Sequence, residues 1–146
     1  MARIELEQSK VDFKSEWRSS GGFIESVRTK LSFTDYEHTE GDEALFRNDT
    51  FEGRLEAPHK RIGIFDGVIG FQVISGEFSA LEIEENEFIV PITQSANYSL
   101  FVQESFAVGP TTAEFGFRVE HATVDSRNEV DPDSSYTPIS VSAVSY

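Results

Sequence analysis

The side chains able to do chemistry are few in this chain, and they lie apart. Its three histidines are His38, His59 and His121. His38 sits among acids, His59 in the basic knot Pro58-His59-Lys60-Arg61, and His121 at the end of an apolar alternation. None has a second histidine at metal-binding spacing within its segment, and no Gly-x-Ser-x-Gly elbow is present. There is no cysteine, which removes disulfides, thiolate metal sites and cysteine nucleophiles. The reading is a non-enzymatic protein without a cofactor.

Carboxylates offer more material. Glu82, Glu84, Glu85 and Glu87 form the densest local group. Alternation puts Glu82 and Glu84 on one strand face, where they can share a cation or act as a glycosidase-like acid pair. The simpler reading is a solvated outer face that blunts edge-to-edge strand pairing. Between Asp125 and Asp133 the chain offers oxygen donors of the kind calcium prefers, at Asp125, Asn128, Asp131 and Asp133. Their spacing is not that of an EF-hand loop and the turn glycine is missing, so these stay weak metal candidates on a solvated loop. Asn48-Asp49-Thr50 and Asn97-Tyr98-Ser99 match the glycosylation acceptor pattern and are read as chance. Trp17, Tyr36, Tyr98, Tyr136 and Tyr146 are types that stack on sugars and equally populate protein interfaces. Lys60-Arg61 beside His59 is a small anion contact at most.

Charge is segregated along the sequence. The 146 residues carry 12 bases and 26 acids, a net charge of −14. From Ile62 to Phe117 there are eight acids and no lysine or arginine. Phosphate recognition needs cations, so this body excludes a general nucleic-acid binder. It favours solubility, repels anionic membranes and suits cations, divalent ones included, or a basic partner. Residues 1–61 are mixed, with ten bases against thirteen acids. Acids replace the apolar stretch of a secretory leader in Met1-Ala2-Arg3-Ile4-Glu5-Leu6, and no apolar run reaches the eighteen residues of a spanning helix.

The elements that must position these residues are strands. Val11, Phe13, Ser15 and Trp17 share one face of a first long strand, which Ser19-Ser20-Gly21-Gly22 ends. Residues 26–34 alternate, and 35–49 read as a long acidic loop with one helical turn near Ala44. Asp66-Gly67 between apolar runs predicts a two-residue hairpin turn that faces Gly63 with Gly70 and leaves one side thin there. Pro91 marks an edge strand or a bulge. Turns are expected at Glu85-Asn86, Ser95-Ala96-Asn97 and Gly109-Pro110-Thr111. Leu100, Val102, Phe106 and Val108 share a face, as do Phe115, Phe117, Val119 and His121. Ile139, Val141 and Ala143 alternate with serines near the end of the sequence.

These features predict one all-β domain over 1–146. The expected architecture is an antiparallel, jelly-roll-like β-sandwich of about eight to ten short strands, with a barrel as the alternative. The uncharged run 136–146 is expected to close the sheet or to act as an arm on a neighbour. Tyr136, Ile139, Val141 and Tyr146 are its interface candidates. A small, acidic, cysteine-free, phenylalanine-rich chain of this kind resembles, as a class, the minor structural proteins of tailed-phage virions. The expected role is therefore a structural subunit of a large particle (capsid decoration, head completion or tail), made in the host cytoplasm. Its partners are proteins in a homo- or hetero-oligomer, with neither nucleic acid nor membrane. The alternatives are a carbohydrate- or small-molecule-binding β-sandwich and a β-barrel isomerase or cyclase.

Overall fold

A computed structural model describes residues 4–41, 43–127 and 137–146. Seven strands follow one another: β1 (Ile4–Arg18), β2 (Ser26–Glu40), β3 (Ala44–Ile62), β4 (Phe65–Glu82), β5 (Glu87–Val108), β6 (Thr111–Arg127) and β7 (Ile139–Ser145). They form one sheet in the order β1-β2-β3-β4-β5-β6-β7, each strand antiparallel to its neighbours. The all-β antiparallel class expected from the sequence is what the structure has, with 86% of the described residues in strands. The strands are fewer and much longer than the eight to ten short ones expected. The first six run 15 to 22 residues, where five or six is typical. At about 3.3 Å per residue, even β1 reaches roughly 50 Å. The sheet does not close: β1 touches only β2, and β7 only β6.

The extra length comes from segments that read as loops. The acidic loop expected at 35–49 is strand: β2 continues to Glu40, β3 begins at Ala44, and only residues 41–43 connect them. The helical turn expected near Ala44 is likewise strand. Polar residues extend the ladder because cross-strand partners satisfy them, as when Arg47 Nε donates to Glu37 Oε2 at 2.8 Å. Ser95-Ala96-Asn97 also lies inside a strand, β5. Turns do fall at Gly109-Pro110 and around Asn86, whose φ of 53° is the left-handed value such a turn needs.

The Asp66-Gly67 hairpin is not formed. The turn is Gly63-Ile64, with Ile62 opposite Phe65 and Gly63 at φ 65°. Glycine at the first position of a two-residue turn matches the right-handed twist of the flanking strands. Asp66 and Gly67 belong to β4, and Gly70 faces Glu56 and Phe101 rather than Gly63. This register places Phe65, Ile69, Phe71 and Val73 among residues of the apolar face on both neighbours. Pro91 lies in β5 at an irregularity in the β4 pairing, just past Ile92, the last described β6 partner. Its missing N–H costs no ladder bond there.

The protein has almost no interior. Among the described residues the only buried hydrophobics are Ala44 and Ala80, and no large side chain is fully buried. The surface is 10417 Å², where a compact chain of this mass exposes about 7,500 Å². The side chains pack within each face instead. The Phe101 ring crosses β4 at Gly70, where an added Cβ would overlap it, and the Arg54 guanidinium lies over the ring, 4.6 Å from its centroid. Gly70→Ala should therefore cost about 1–3 kcal/mol by overpacking. Phe101→Leu in the same chain should recover part of the loss in denaturant melts followed by strand circular dichroism. An unchanged midpoint in G70A would show that the ring does not need the notch.

Candidate functional site

Antiparallel partners share a face, so the register sorts every strand residue onto one of two surfaces. One surface is apolar through its middle. It carries Val11, Phe13 and Trp17 of β1, Leu31 and Phe33 of β2, and Phe51 and Leu55 of β3. It continues through Ile69, Phe71 and Val73 of β4, Leu100 and Val102 of β5, and Phe115, Phe117 and Val119 of β6. These side chains are open to the surroundings: Trp17 is 63% exposed, Leu100 59% and Phe115 53%. On β1 the band spans Val11–Trp17, seven residues or about 23 Å along the strand. The band also climbs. Its limit is Val11 on β1 but Val119 on β6, and the register row through Val119 runs by Leu100, Phe71, Leu55 and Thr29 to Ser15. A level belt crossing strands that tilt and stagger, as barrel strands do, has this diagonal course.

Aromatic residues mark both margins. At the end with the Gly63 and Gly109 turns, Phe65, Phe106 and Phe115 meet edge-to-face, with centroids 5.4 to 6.4 Å apart. At the other margin Phe33 lies directly opposite Phe51. Immediately beyond that pair comes a row of acids and amides, Asp35–Asp49–Glu77–Gln94–Asp125, one residue per strand from β2 to β6. Partial desolvation, then the charges of Asp35 and Glu77, raise the Asp49 carboxyl above its usual range. Gln94 Nε2 donates to Glu77 at 2.8 Å.

Past this row the two surfaces exchange character. The formerly apolar face carries Glu7, Glu37 and Arg47, while the opposite face gathers Leu6, His38, Phe46 and Ala80 in one register row. The His38 and Phe46 rings stack there at 4.4 Å.

Behind the apolar band the second surface is largely polar and cross-linked. Gln72 donates to Glu52 at 2.9 Å and accepts from Arg118 at 3.2 Å. Arg54 Nε donates to Glu56 at 2.8 Å, and Arg118 Nε to Glu120 at 2.7 Å. Asn97 completes the chain with a 2.8 Å bond to Glu120. A buried polar contact interrupts the apolar face itself. His59 Nε2 lies 2.8 Å from Glu104 Oε1, across Gly67, and Nδ1 lies 2.9 Å from the Lys60 carbonyl. Phe23 stacks on the imidazole at 5.1 Å, leaving the His59 side chain 1% exposed. Both ring nitrogens face oxygen acceptors, so the two contacts together need a proton on each. A side chain on Gly67 would collide with Glu104, so glycine is what lets the carboxylate cross.

The structure disperses most residues that sequence singled out. Glu82 pairs with Glu87 across the turn that holds Glu84 and Glu85, so Glu82 and Glu84 do not share a strand face. Asp125 sits in β6, 3.5 Å from Arg127. Asn128, Asp131, Asp133 and Tyr136 lie outside the described residues. Among the described residues no three His, Asp or Glu side chains are placed to hold a metal ion. Ile139 and Val141 lie on β7, the last strand of the chain's own sheet, facing the same side as Val124 and Ala122. Tyr146 follows it, fully exposed. Trp17 and Tyr98 share the apolar face but lie on distant strands, and Tyr36 is on the opposite side. His121 accepts or donates a 3.0 Å bond with Ser142. Sequence reasoning missed the His59–Glu104 pair, whose members are 45 residues apart.

No family model matches the chain. A solved structure described as "Copper transporter OprC" is similar over 95% of this chain, with a TM-score of 0.71 and 14% identity. At that identity the likeness shows the fold alone. The chain spans about a quarter of the length of the structure it matches, 26%.

A raised carboxyl weakens the fold when it is charged. Asp49's contribution is therefore most favourable below its ordinary value near 3.8 and is lost as pH rises through its higher folded value. Asp49→Asn should raise the thermal midpoint at pH 7, with the gain shrinking on acidification and vanishing below about pH 3.8. A gain independent of pH would mean that the row of acids is not what strains this position.

Proposed function

We propose that this sheet is part of the wall of a membrane-spanning β-barrel, with the apolar band facing lipid and the polar network facing a water-filled interior. The observation that carries this reading is the band itself. It runs seven residues along β1 and nine along β4, from Phe65 to Val73, is edged by aromatic residues, and is backed by a polar face on the same strands. Barrels of this kind carry an apolar belt about 25 Å tall between aromatic girdles, with polar side chains inside. The first six strands, of 15 to 22 residues, exceed the nine to eleven needed to cross a bilayer and project beyond it. The projecting ends are where the acids appear. The structural likeness to a copper transporter supports the wall geometry; the proposal takes nothing from that protein's cargo.

This reading departs from the expectation of a chain with no membrane contact. That expectation rested on the lack of a long apolar run, which only membrane helices require. A strand hides the same apolar area in alternate residues. Open sheet edges are not tolerated in hydrocarbon, so β1 and β7 must pair with further strands. They run in the same direction, so an antiparallel barrel is completed by an odd number of additional strands.

A second reading keeps the assembly role taken from sequence, a subunit of a large particle such as a phage virion. The two free edges and the uncovered apolar face support it, because protein neighbours would cover both. The two readings part on lipid. Trp17 is the sole tryptophan and stands on the apolar face. In the membrane reading the chain floats with vesicles, and lipids brominated on the acyl chains quench Trp17. Phe71→Arg should then cost about 2–4 kcal/mol of stability in lipid, while Gln72→Arg, on the other face, should cost far less. Sedimentation with a protein particle, with no flotation and no quenching, would favour the virion subunit instead.

A further inference from the structure

The polar face carries a feature that the wall does not require. Lys14 of β1 lies directly opposite Lys30 of β2, and Lys30 directly opposite Arg54 of β3. Three cations thus stand side by side in one register row, and like charges placed opposite one another weaken a sheet. Between Lys10 and Arg18 on β1, and Ser26 and Thr34 on β2, this face holds five cations and two acids, in a chain of net charge −14. Both acids are already engaged: Asp12 lies 3.7 Å from Lys10, and Glu16 accepts from Arg18 at 3.2 Å. Arg54 has Glu56 at 2.8 Å. Among the described residues Lys14 and Lys30 make no ion pair. The row borders a recess of about 170 Å³ that also takes in Lys10, Asp12 and Glu52, a size suited to a small solute. Its height on the sheet is that of Phe13 and Ser15, the middle of the apolar band on the other side.

We propose that the Lys14–Lys30–Arg54 row binds a small, multiply charged oxyanion, one bearing phosphate or carboxylate groups. Among the described residues neither lysine has an ion pair, while the acids nearby are already partnered, Asp12 by Lys10, Glu16 by Arg18, Glu52 by Gln72 and Glu56 by Arg54, and a ligand with several anionic oxygens supplies what is missing. Lysine offers a compact charge with three rotatable donors, and arginine a planar fork that grips phosphate or carboxylate with two bonds. If this face lines a pore, a cation row at mid-height draws anions through it, as rings of lysine and arginine do in anion pores. The inference rests on the membrane-wall reading for that role alone.

The test is titration of the full chain in detergent micelles with tripolyphosphate and with citrate, at constant ionic strength set by sodium chloride. Binding of either is expected, and the stronger of the two identifies the source chemistry. Lys14→Gln with Lys30→Gln should weaken it at least tenfold, while Lys14→Arg with Lys30→Arg should keep it. Without any anion, K14Q/K30Q should raise the thermal midpoint, because it removes opposed charges. No binding beyond that of chloride, equal binding by the glutamine variant, or a lowered midpoint in it would each overturn the proposal. Vesicle flotation of the same preparation separates the two ideas. Flotation without anion binding leaves the wall and removes this site; binding without flotation leaves the site and removes the wall.

Discussion

A single sheet pairs backbone with backbone and leaves both of its surfaces to whatever lies outside the chain. Every other property of this molecule follows from that constraint. The ladders satisfy the N–H and C=O groups along strands of up to 22 residues, but among the described residues no second layer lies over either side. Only Ala44 and Ala80 are buried hydrophobics among the described residues. The usual stabilisation by apolar burial, about 25 cal/mol per Å², is therefore available to the apolar band only through a medium or a neighbour. Phenylalanine, leucine and isoleucine standing at 38–59% exposure across six strands are a surface made for contact, since scattered apolar residues are ordinary and a continuous belt is not.

The faces are then told apart by what each can satisfy. Charged and amide groups on the polar side reach one another over four strands, from Glu52 through Gln72 and Arg118 to Glu120 and Asn97. On the apolar side the His59–Glu104 contact is hidden under Phe23. Beyond the acidic row the sides trade character. That exchange is intelligible if the surroundings change there too, from an apolar medium to water.

Much of this was legible in the sequence, and the failures have identifiable causes. Period-2 alternation gave the strands, and it placed Phe115, Phe117, Val119 and His121 on one face, where the register confirms them. Residues 35–49 read as a loop because charge density there resembles solvated chain. In the structure those charges have partners one strand away, such as Glu37 with Arg47. The Asp-Gly turn cue at Asp66-Gly67 was overridden by registers on both sides of β4. Those registers need Phe65, Ile69 and Phe71 on the band, and they use Gly67 and Gly70 to let Glu104 and Phe101 pass.

By itself the sequence determined that the chain is strand-built, cysteine-free, acidic and two-sided along each strand, because alternation and composition are local properties. Only the tertiary structure decided that the strands stack into one open sheet rather than a closed core. It also brought Lys14, Lys30 and Arg54 into one row, and gave the apolar residues of six strands a common belt. The reason is register. Whether residues tens of positions apart become neighbours depends on how each strand slides against the next, and a shift of one residue sends every side chain to the other face.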